Sequence, residues 1–560
     1  MPPPAGQTPE SQYQYFTRRL ASHEKERASF ISHWDEIAQY LYPRGARFLP
    51  SQRNRGEKLN QKILRNVAGL ALRTAAAGMM GGMTSPSRPW YRLTLSDPDL
   101  AEFKTVKRWL HIVQTRTAEV FSKSNLYNVL PTVYRGELAF GQGPIAVLED
   151  PEDVIRCYSF PIGSYCLAQS QRLAVDTLYR IYSMTVRQIV MEFGYDECST
   201  SVRNQWDRSN YENWIEVIHV IEPNFHRDAR LFDSRNKPFR SVYFERANSE
   251  ERVLRESGFD ELPFMAPRWD VTGEDIYGWS PGMDALADIK ELQLKQRRKA
   301  QAIDILVKPP MVGPTTLKNQ RSSILPGDVT YVDSFNGQAS FKPAYEINPR
   351  IDHLIQDMGS TEEIIRRCFY EDLFLMLASM DAKNVTAEAV AKKYEEKMVM
   401  LGPVVERNGD ELLDPLIDRT FAIMLRRGMI PPPPPEIEGM SMKVDYISVL
   451  AQAQKMVGTS ATERLFSFAG NLSGVNPEVL DNLNFDEGVQ DYADMLGSNP
   501  RVIRSGEEVL QLRKSRAQQQ QAAQMAAMAK PAADGAAAAK ILSETDIDRA
   551  SALARMMGTA

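Results

Sequence analysis

The sequence predicts an α+β protein that is mainly helical, and three observations support this class. Long segments place apolar residues at alternating spacings of three and four, which marks one face of a helix. Between them lie short runs enriched in Val, Thr, Tyr and Phe, which are typical of strands. Hydrophobic residues make up 43% of the 560 residues. This content is enough for cores in about three or four domains.

Residues 1–280 combine both patterns and form the first predicted unit. Helices are predicted at 12–42, 59–80, 98–122, 126–140 and 185–193. Strands are predicted at 91–95, 145–148, 154–160, 165–168, 176–182, 214–222, 241–247 and 252–257.

The helix around which the rest of the chain is organised is predicted over residues 281–308. Pro281 suits a first helical position because it lacks an N–H, and Lys308 ends the helix because two prolines follow it. One face carries Leu286, Ile289, Gln293, Gln296, Ala300, Ile303 and Val307. Glutamines hold the middle of this face, where a monomer core would prefer leucine. The half-polar face therefore favours packing among like neighbours over burial in a single core.

Residues 309–349 are dense in proline and glycine, with short extended runs between the turns, and a small β-rich excursion is predicted. A second helix follows at 350–371. The apolar segment 372–383 either extends this helix or forms a loop, and the pattern leaves both open.

A long helix, capped by Asn384 or Thr386, is predicted to run to Arg427, with a kink at Gly402–Pro403. Gly428 is its expected C′ residue, and Pro431–Pro435 stop it. Further helices are predicted at 444–457, 462–469, 485–496 and 545–557. The Ala- and Gln-rich segment 507–529 is either a disordered tail or a long exposed helix.

Composition argues against several classes of protein. The net charge of −5 gives no bulk attraction to phosphates, so a large DNA-gripping surface is not expected. No apolar run reaches the ~18 residues of a membrane span, and the N-terminus lacks the pattern of a signal peptide. The four cysteines form no C-x-x-C pair, which favours buried free thiols in a reducing cytosol over a metal site.

Two short motifs resemble catalytic signatures. Gly278–Gly282 matches G-x-S-x-G, but Pro281 follows Ser280 and cannot supply the backbone N–H of an oxyanion hole. Gly141–Ala146 matches G-x-G-x-x-A, but it follows a helical pattern and opens a β run, so it is predicted to be a turn. Asp270, Glu274 and Asp275 could hold a divalent ion, although a solvated turn is favoured. No catalytic, cofactor-binding or metal-binding residue is therefore predicted.

Five longer stretches together are not generic. They are Thr84–Trp90, Leu262–Trp269, Tyr277–Leu286, Arg366–Phe374 and Leu412–Leu416. In this order they resemble the portal, or head-to-tail connecting, proteins of short-tailed bacteriophages. The resemblance covers roughly residues 12–435, and the chain from about Glu436 onward resembles the family only loosely.

The resemblance implies the portal fold and a dodecameric ring with an axial channel at one capsid vertex. Double-stranded DNA would enter the channel, driven by terminase, and leave through a tail attached to the ring. On the family plan the parts are an N-terminal wing at 1–280, a first stem helix at 281–308, a clip at 309–349, a second stem helix at 350–371, a channel loop at 372–385, a long kinked wing helix with its proline stop at 386–435, a crown at 436–505 and a helical barrel or disordered tail at 506–560.

The partners implied are further copies of the chain, the terminase large subunit, tail adaptor proteins, the major capsid protein, scaffold and DNA. The implied location is the virion, with the host cytoplasm during assembly. Lys383, Lys295 and Arg298 are the predicted channel-facing residues, and Lys383 is the candidate for a light phosphate contact. Two alternatives stay open: another virion component, such as a tail or scaffold protein, and a hydrolase or nuclease.

Overall fold

The computed structural model describes residues 11–49, 56–97, 100, 103–308, 311–312, 342–343, 350–379, 400–437, 442–448, 450, 467–472, 483–485, 488 and 509–521. The chain divides into two compact units, Met1–Leu472 and Ser473–Ala560. In the second unit, residues 509–521 are helical, which is one of the two alternatives left open for that segment.

Helices α1 to α11 span, in chain order, Gln12–Tyr40, Val67–Met83, Lys104–Lys123, Leu126–Phe140, Val186–Phe193, Thr200–Asp207, Pro281–Asp284, Leu286–Val307, Ile351–Cys368, Glu371–Ser379 and Asp414–Arg426. Strands β1 to β12 span Tyr91–Leu95, Ile145–Asp150, Val154–Ser159, Tyr165–Gln169, Val175–Thr185, Trp214–Pro223, Phe239–Glu245, Arg255–Phe259, Phe264–Met265, Met311–Val312, Lys342–Pro343 and Met442–Tyr446. The predicted α+β class is confirmed.

The largest sheet is antiparallel, with the strand order β4-β5-β6-β7-β8. Alternate residues of β6 point to opposite faces, as expected for a strand. Ile218 packs with Phe16 of α1 on one face, while Val217 packs with Ile189 of α5 on the other. The sheet is therefore covered by α1 on one side and by the connection that contains α5 and α6 on the other.

The main core is built around α2 and α4, and it also includes residues of this sheet such as Leu167 of β4 and Ile221 of β6. Helix α2 is rich in Ala and Gly, which permits close approach of a neighbouring helix. At Gly78 an added Cβ would lie 2.4 Å from the Cβ of Phe374, so α10 packs directly on this position. Leu373 and Phe374 are buried at the same contact.

Residues 371–379 are helical rather than a loop, which differs from the predicted channel loop at 372–385 over its described part. Helix α9 does not simply continue, because Tyr370 has a left-handed φ of +52°. Beyond this break, α10 packs against α2.

Two predicted helices are wrong in part. Helix α2 begins at Val67 rather than at residue 59, and residues 57–66 have no helical structure. The segment predicted as helical from 444 begins instead as strand β12, which pairs antiparallel with β1 from Tyr91↔Tyr446 to Leu95↔Met442. The helical pattern from residue 444 is overridden by strand pairing, because β12 is the partner of β1 in a two-stranded sheet.

The long helix is continuous from residue 400 to Arg426 where it is described, and it contains a π-helical turn at Gly409–Leu413. The predicted end is confirmed. Gly428 has a φ of +66°, its N–H bonds to the Leu425 carbonyl, and the Met429 N–H reaches back to Met424. This pair of bonds is a Schellman motif.

Several predictions fall outside the described residues. They include the cap of the long helix at Asn384 or Thr386, most of the segment 309–349 and the helix 545–557. Within 309–349, the structure describes only β10 and β11, which pair antiparallel.

Candidate functional site at the paired helices α8 and α9

Helix α8 is positioned by the short helix α7 that precedes it. Ser280 is the N-cap of α7: its hydroxyl accepts a hydrogen bond from the Met283 N–H at 3.1 Å and donates one to the Ala139 carbonyl at 2.9 Å. The side chain is fully buried, and Pro281 follows at the first helical position. Ser280 therefore fixes the start of the helix, and it is not exposed as a nucleophile would be.

The predicted half-polar face of α8, which we call the seam, has an upper, N-terminal part (Leu286 to Gln293) and a lower, C-terminal part (Gln296 to Val307). The upper part is buried within the chain itself. Leu286 and Ile289 lie in the main core. Gln293 is also buried, and its Oε1 accepts from the N–H groups of Leu64 and Arg65 at 2.7 and 2.8 Å. Its Nε2 donates to the Arg65 carbonyl at 2.9 Å. The polarity of Gln293 thus has a reason within its own chain, because this amide satisfies the backbone that leads into α2.

The lower part of the seam has a different environment. Ala300 and Ile303 are exposed, and Val307 has 71% of its surface exposed. Gln296 is half-buried, and its Oε1 has no hydrogen-bond partner among the described residues. The seam is therefore divided into an upper part that is packed in one chain and a lower part that one chain leaves open.

Helices α8 and α9 are joined by one dense ionic contact. Lys295 Nζ lies 2.6 Å from Asp357 Oδ2 and 2.8 Å from Glu291 Oε1, and it donates to Thr361 Oγ1 at 3.0 Å. Burial lowers the pKa of Lys295, but its hydrogen bonds to Asp357 and Glu291 outweigh burial and raise the pKa above its ordinary value. The Lys295 ammonium group is thus already paired with one carboxylate of α8 and one of α9.

The predicted channel-facing residues do not form one cluster. Lys295 joins the two helices, whereas Arg298 is exposed on α8, and no carboxylate in the described ranges pairs with it. Lys383 lies outside the described residues. Their contact with DNA stays a prediction.

The surface of the helix pair combines apolar and charged side chains. Its large exposed apolar residues are Leu294, Ile303, Leu306, Val307, Ile355 and Ile364. Exposed charged residues of both signs lie on both helices: Arg297, Arg298, Glu291 and Asp304 on α8, and Asp352, Asp357, Glu363, Arg366 and Arg367 on α9. Such a surface is suited to contact with another protein that offers the complementary pattern.

Two buried arginines, which sequence reasoning did not single out, hold the long helix against the rest of the chain. Arg268 Nη2 lies 2.6 Å from Glu411 Oε1, and the Arg268 N–H donates to Glu411 Oε2 at 3.0 Å. Arg419 donates to the Val147 carbonyl at 2.7 Å and to the Glu261 carbonyl at 3.1 Å. The sequence held one hint of this contact. Arg268 belongs to the distinctive stretch Leu262–Trp269, and Glu411 directly precedes the stretch Leu412–Leu416.

The other residues that were considered as metal ligands or reactive groups lie in exposed turns or are buried as free thiols. Asp270, Glu274 and Asp275 are exposed in a turn, and Asp270 lies 3.5 Å from Arg407. No group of three or more His, Cys, Asp or Glu side chains suited to a metal ion occurs in the described part of the chain. Cys157, Cys166 and Cys198 are buried free thiols, as predicted, while Cys368 is half-buried. Among the described helices, none is both long enough and apolar enough to cross a membrane.

The chain is similar to phage proteins over most of its length. A family described as bacteriophage head to tail connecting protein matches residues 14–503. A portal protein of Salmonella phage epsilon15 is 49% identical over 552 residues, which cover 98% of this chain and 99% of the relative. A probable portal protein of Bordetella phage BPP-1 is 46% identical over 512 residues, covering 91% and 92%. A chain from the virion of a native gene transfer agent particle aligns with a TM-score of 0.36 and 10% identity, covering 83% and 99%.

Proposed function

Because this chain belongs to the bacteriophage head to tail connecting protein family, we propose that it is the portal subunit of a phage capsid. Copies of the chain assemble into a dodecameric ring at one vertex. The ring provides the channel for double-stranded DNA and the attachment point of the tail. This role is structural and requires no catalytic residue.

The observation that carries the ring is the divided seam of α8. Its upper half is packed against α1, α9 and residues 64–65 of the same chain, which fixes the helix direction. Its lower half exposes Ile303 and Val307, which gain nothing from water contact. In a ring these residues are covered by the neighbouring subunit.

The charge of the chain suits a channel through which DNA slides. A ring of such subunits carries a net charge on the order of −60, which disfavours adhesion of a polyanion. Tight phosphate contacts would deepen each step along the duplex and slow its passage. Scattered cations such as Arg298 and Lys383 supply light contacts without a continuous basic surface.

We propose that the chain is divided into the wing, stem, clip and crown of the family. Residues 1–280, together with the long helix that ends at Arg426, form the wing, and α7 to α9 form the stem. Residues 309–349 form the clip, which meets the terminase large subunit during packaging and tail adaptors afterwards. The wing faces the major capsid protein and scaffold, and residues 436–505 form the crown.

A pair of substitutions tests the proposal on purified protein. Ile303→Asp with Val307→Asp places two carboxylates on the open half of the seam, where they remain hydrated in a single chain. Analytical ultracentrifugation should show rings for the native chain and subunits for the variant, with similar unfolding temperatures. Asp304→Asn, on the same helix, is the matched control and should still form rings. A native chain that stays a monomer at high concentration would refute the proposal.

A further inference from the structure

The five-stranded sheet has two ends with different surfaces. Strand β6 begins at Trp214 and ends at Pro223, and both of its neighbours are antiparallel to it. The connection 186–213, which covers one face of the sheet, therefore leaves and rejoins it at one end, and the connection 224–238 does so at the opposite end.

The connection 224–238 exposes large apolar side chains. Phe225 and Phe232 have 85% and 96% of their surface exposed, and Leu231 is also exposed. Two phenylalanines this open in one loop are unusual for a surface that meets only water, and they are typical of a contact site for protein.

This loop is held in one conformation by its own hydrogen bonds. Asn224 Nδ2 donates to the carbonyls of Arg235 and Lys237 at 3.0 and 3.2 Å. The Asp228 N–H donates to Asn236 Oδ1 at 2.9 Å, and Asn236 Nδ2 donates to Asp233 Oδ1 at 2.7 Å. The aromatic side chains are thus presented by a preorganised loop, which lowers the entropy cost of docking.

Each end of the sheet has a charged side chain that is available to a partner. At 224–238, Arg235 and Lys237 pair within the chain with Glu256 and Asp260, whereas Arg230 is exposed and has no ion pair among the described residues. At 186–213, Glu192 and Glu197 pair with Arg255 and Arg252, whereas Asp196 is exposed and has no ion pair in the described part of the chain. This end also has exposed apolar residues of its own: Met191 is 76% exposed, and Trp214, which pairs with Thr185 at the start of β6, is 44% exposed. Methionine adapts its shape to a partner, which suits an aromatic side chain that docks on it.

A closed ring is built from head-to-tail interfaces, so each subunit must carry two different and mutually complementary patches. We propose that the loop 224–238 of one subunit docks, through Phe225 and Phe232, on the 186–214 end of the sheet in the neighbouring subunit. The occupant of each patch is thus a second copy of this chain. The inference rests on the ring described under the proposed function and names a contact within it.

The first test removes the apolar contact. Phe225→Ser with Phe232→Ser is expected to raise the subunit concentration for half-maximal ring assembly roughly tenfold or more, since truncating an interface aromatic commonly removes this much affinity. Because both side chains are exposed, the unfolding temperature should not change. Phe103→Ser, at another exposed phenylalanine, is the matched control and should assemble like the native chain.

The second test exchanges charges. Arg230→Glu alone should weaken assembly, and Asp196→Arg in the same chain should restore it at least in part, because each interface then regains an opposite-charge pair. Native rings combined with unchanged assembly of every variant would overturn the docking contact and leave the ring intact. Loop variants that form normal rings but fail to join capsid shells would also overturn it, by assigning the loop to the shell protein. Absence of rings from the native chain would instead refute the proposed function.

Discussion

Gly141 and Gly278 are packed backbone against backbone. A Cβ added to Gly141 would lie 2.0 Å from the Gly278 carbonyl oxygen, and one added to Gly278 would lie 2.3 Å from the Gly141 carbonyl oxygen. Each glycine belongs to one of the two motifs that resemble catalytic signatures. Their joint role is to bring the turn after α4 against the segment that leads into α7, where Ser280 binds the Ala139 carbonyl.

Gly141→Ala is therefore expected to destabilise the chain severely. The residue has a φ of +84°, which costs a side-chain-bearing residue roughly 1–2 kcal/mol by itself, and the contact with Gly278 adds to this cost. Gly428→Ala separates the two effects, because Gly428 also has a left-handed φ, +66°, but open space around it. Urea unfolding should show a clearly larger loss for Gly141→Ala, and equal losses would contradict the close contact.

Gln293→Ala should lower the free energy of unfolding by roughly 1–3 kcal/mol, because it leaves the Leu64 and Arg65 N–H groups without their acceptor. Gln296→Ala is the matched control on the same helix, since Gln296 Oε1 has no partner among the described residues. Thermal unfolding of the subunit distinguishes them. A larger loss at Gln296 would show that the hydrogen bonds of Gln293 contribute little.

Glu137 predicts a pH dependence of stability. It is fully buried, and burial, aided by the negative charge of Glu411, raises its pKa from 4.5 to about 8. Between these values the folded chain binds more protons than the unfolded chain, so the free energy of unfolding falls as pH rises, by up to about 1.4 kcal/mol per pH unit.

Glu137→Gln removes this proton and should stabilise the chain relative to the native protein at pH 8.5, by more than at pH 5. The exposed Glu152→Gln should follow the native curve at both values. Denaturant unfolding at the two values of pH checks the expectation, and a gain at pH 5 that equals the gain at pH 8.5 would contradict a buried, protonated carboxyl group.

Substitution of the three predicted channel-facing residues should affect different properties: stability for Lys295, and DNA packaging for Arg298 and Lys383. Lys295→Ala breaks the contact with Glu291 and Asp357 and should lower stability. Arg298→Ala and Lys383→Ala should leave stability and ring assembly intact and change the amount or length of DNA packaged. Full-length packaging at the normal rate by both variants would remove their proposed contact with phosphate.

Local covalent constraints made some boundaries predictable from the sequence. Pro281 marks the start of α7 and Gly428 follows the end of α11, because each residue limits the backbone at its own position. Helix α4 and strand β1 match their predicted bounds for a related reason, since their periodicity is clear within one element.

Features that depend on distant parts of the chain were not predictable in this way. Gln293 meets Arg65, which lies 228 residues earlier, and no periodicity on α8 reveals that partner. The same limit applies to strand β12, whose partner β1 precedes it by most of the chain, and to the pair of Arg268 with Glu411. The break at Tyr370 is a strained backbone position that apolar patterning does not mark.

Direct imaging of the native chain tests the central claim that the open half of the α8 seam is closed by further copies of the same chain. Negative-stain electron microscopy of the purified protein should show closed rings with a central hole wide enough for a DNA duplex. Compact single subunits at every concentration, in a preparation that is folded by circular dichroism, would contradict it.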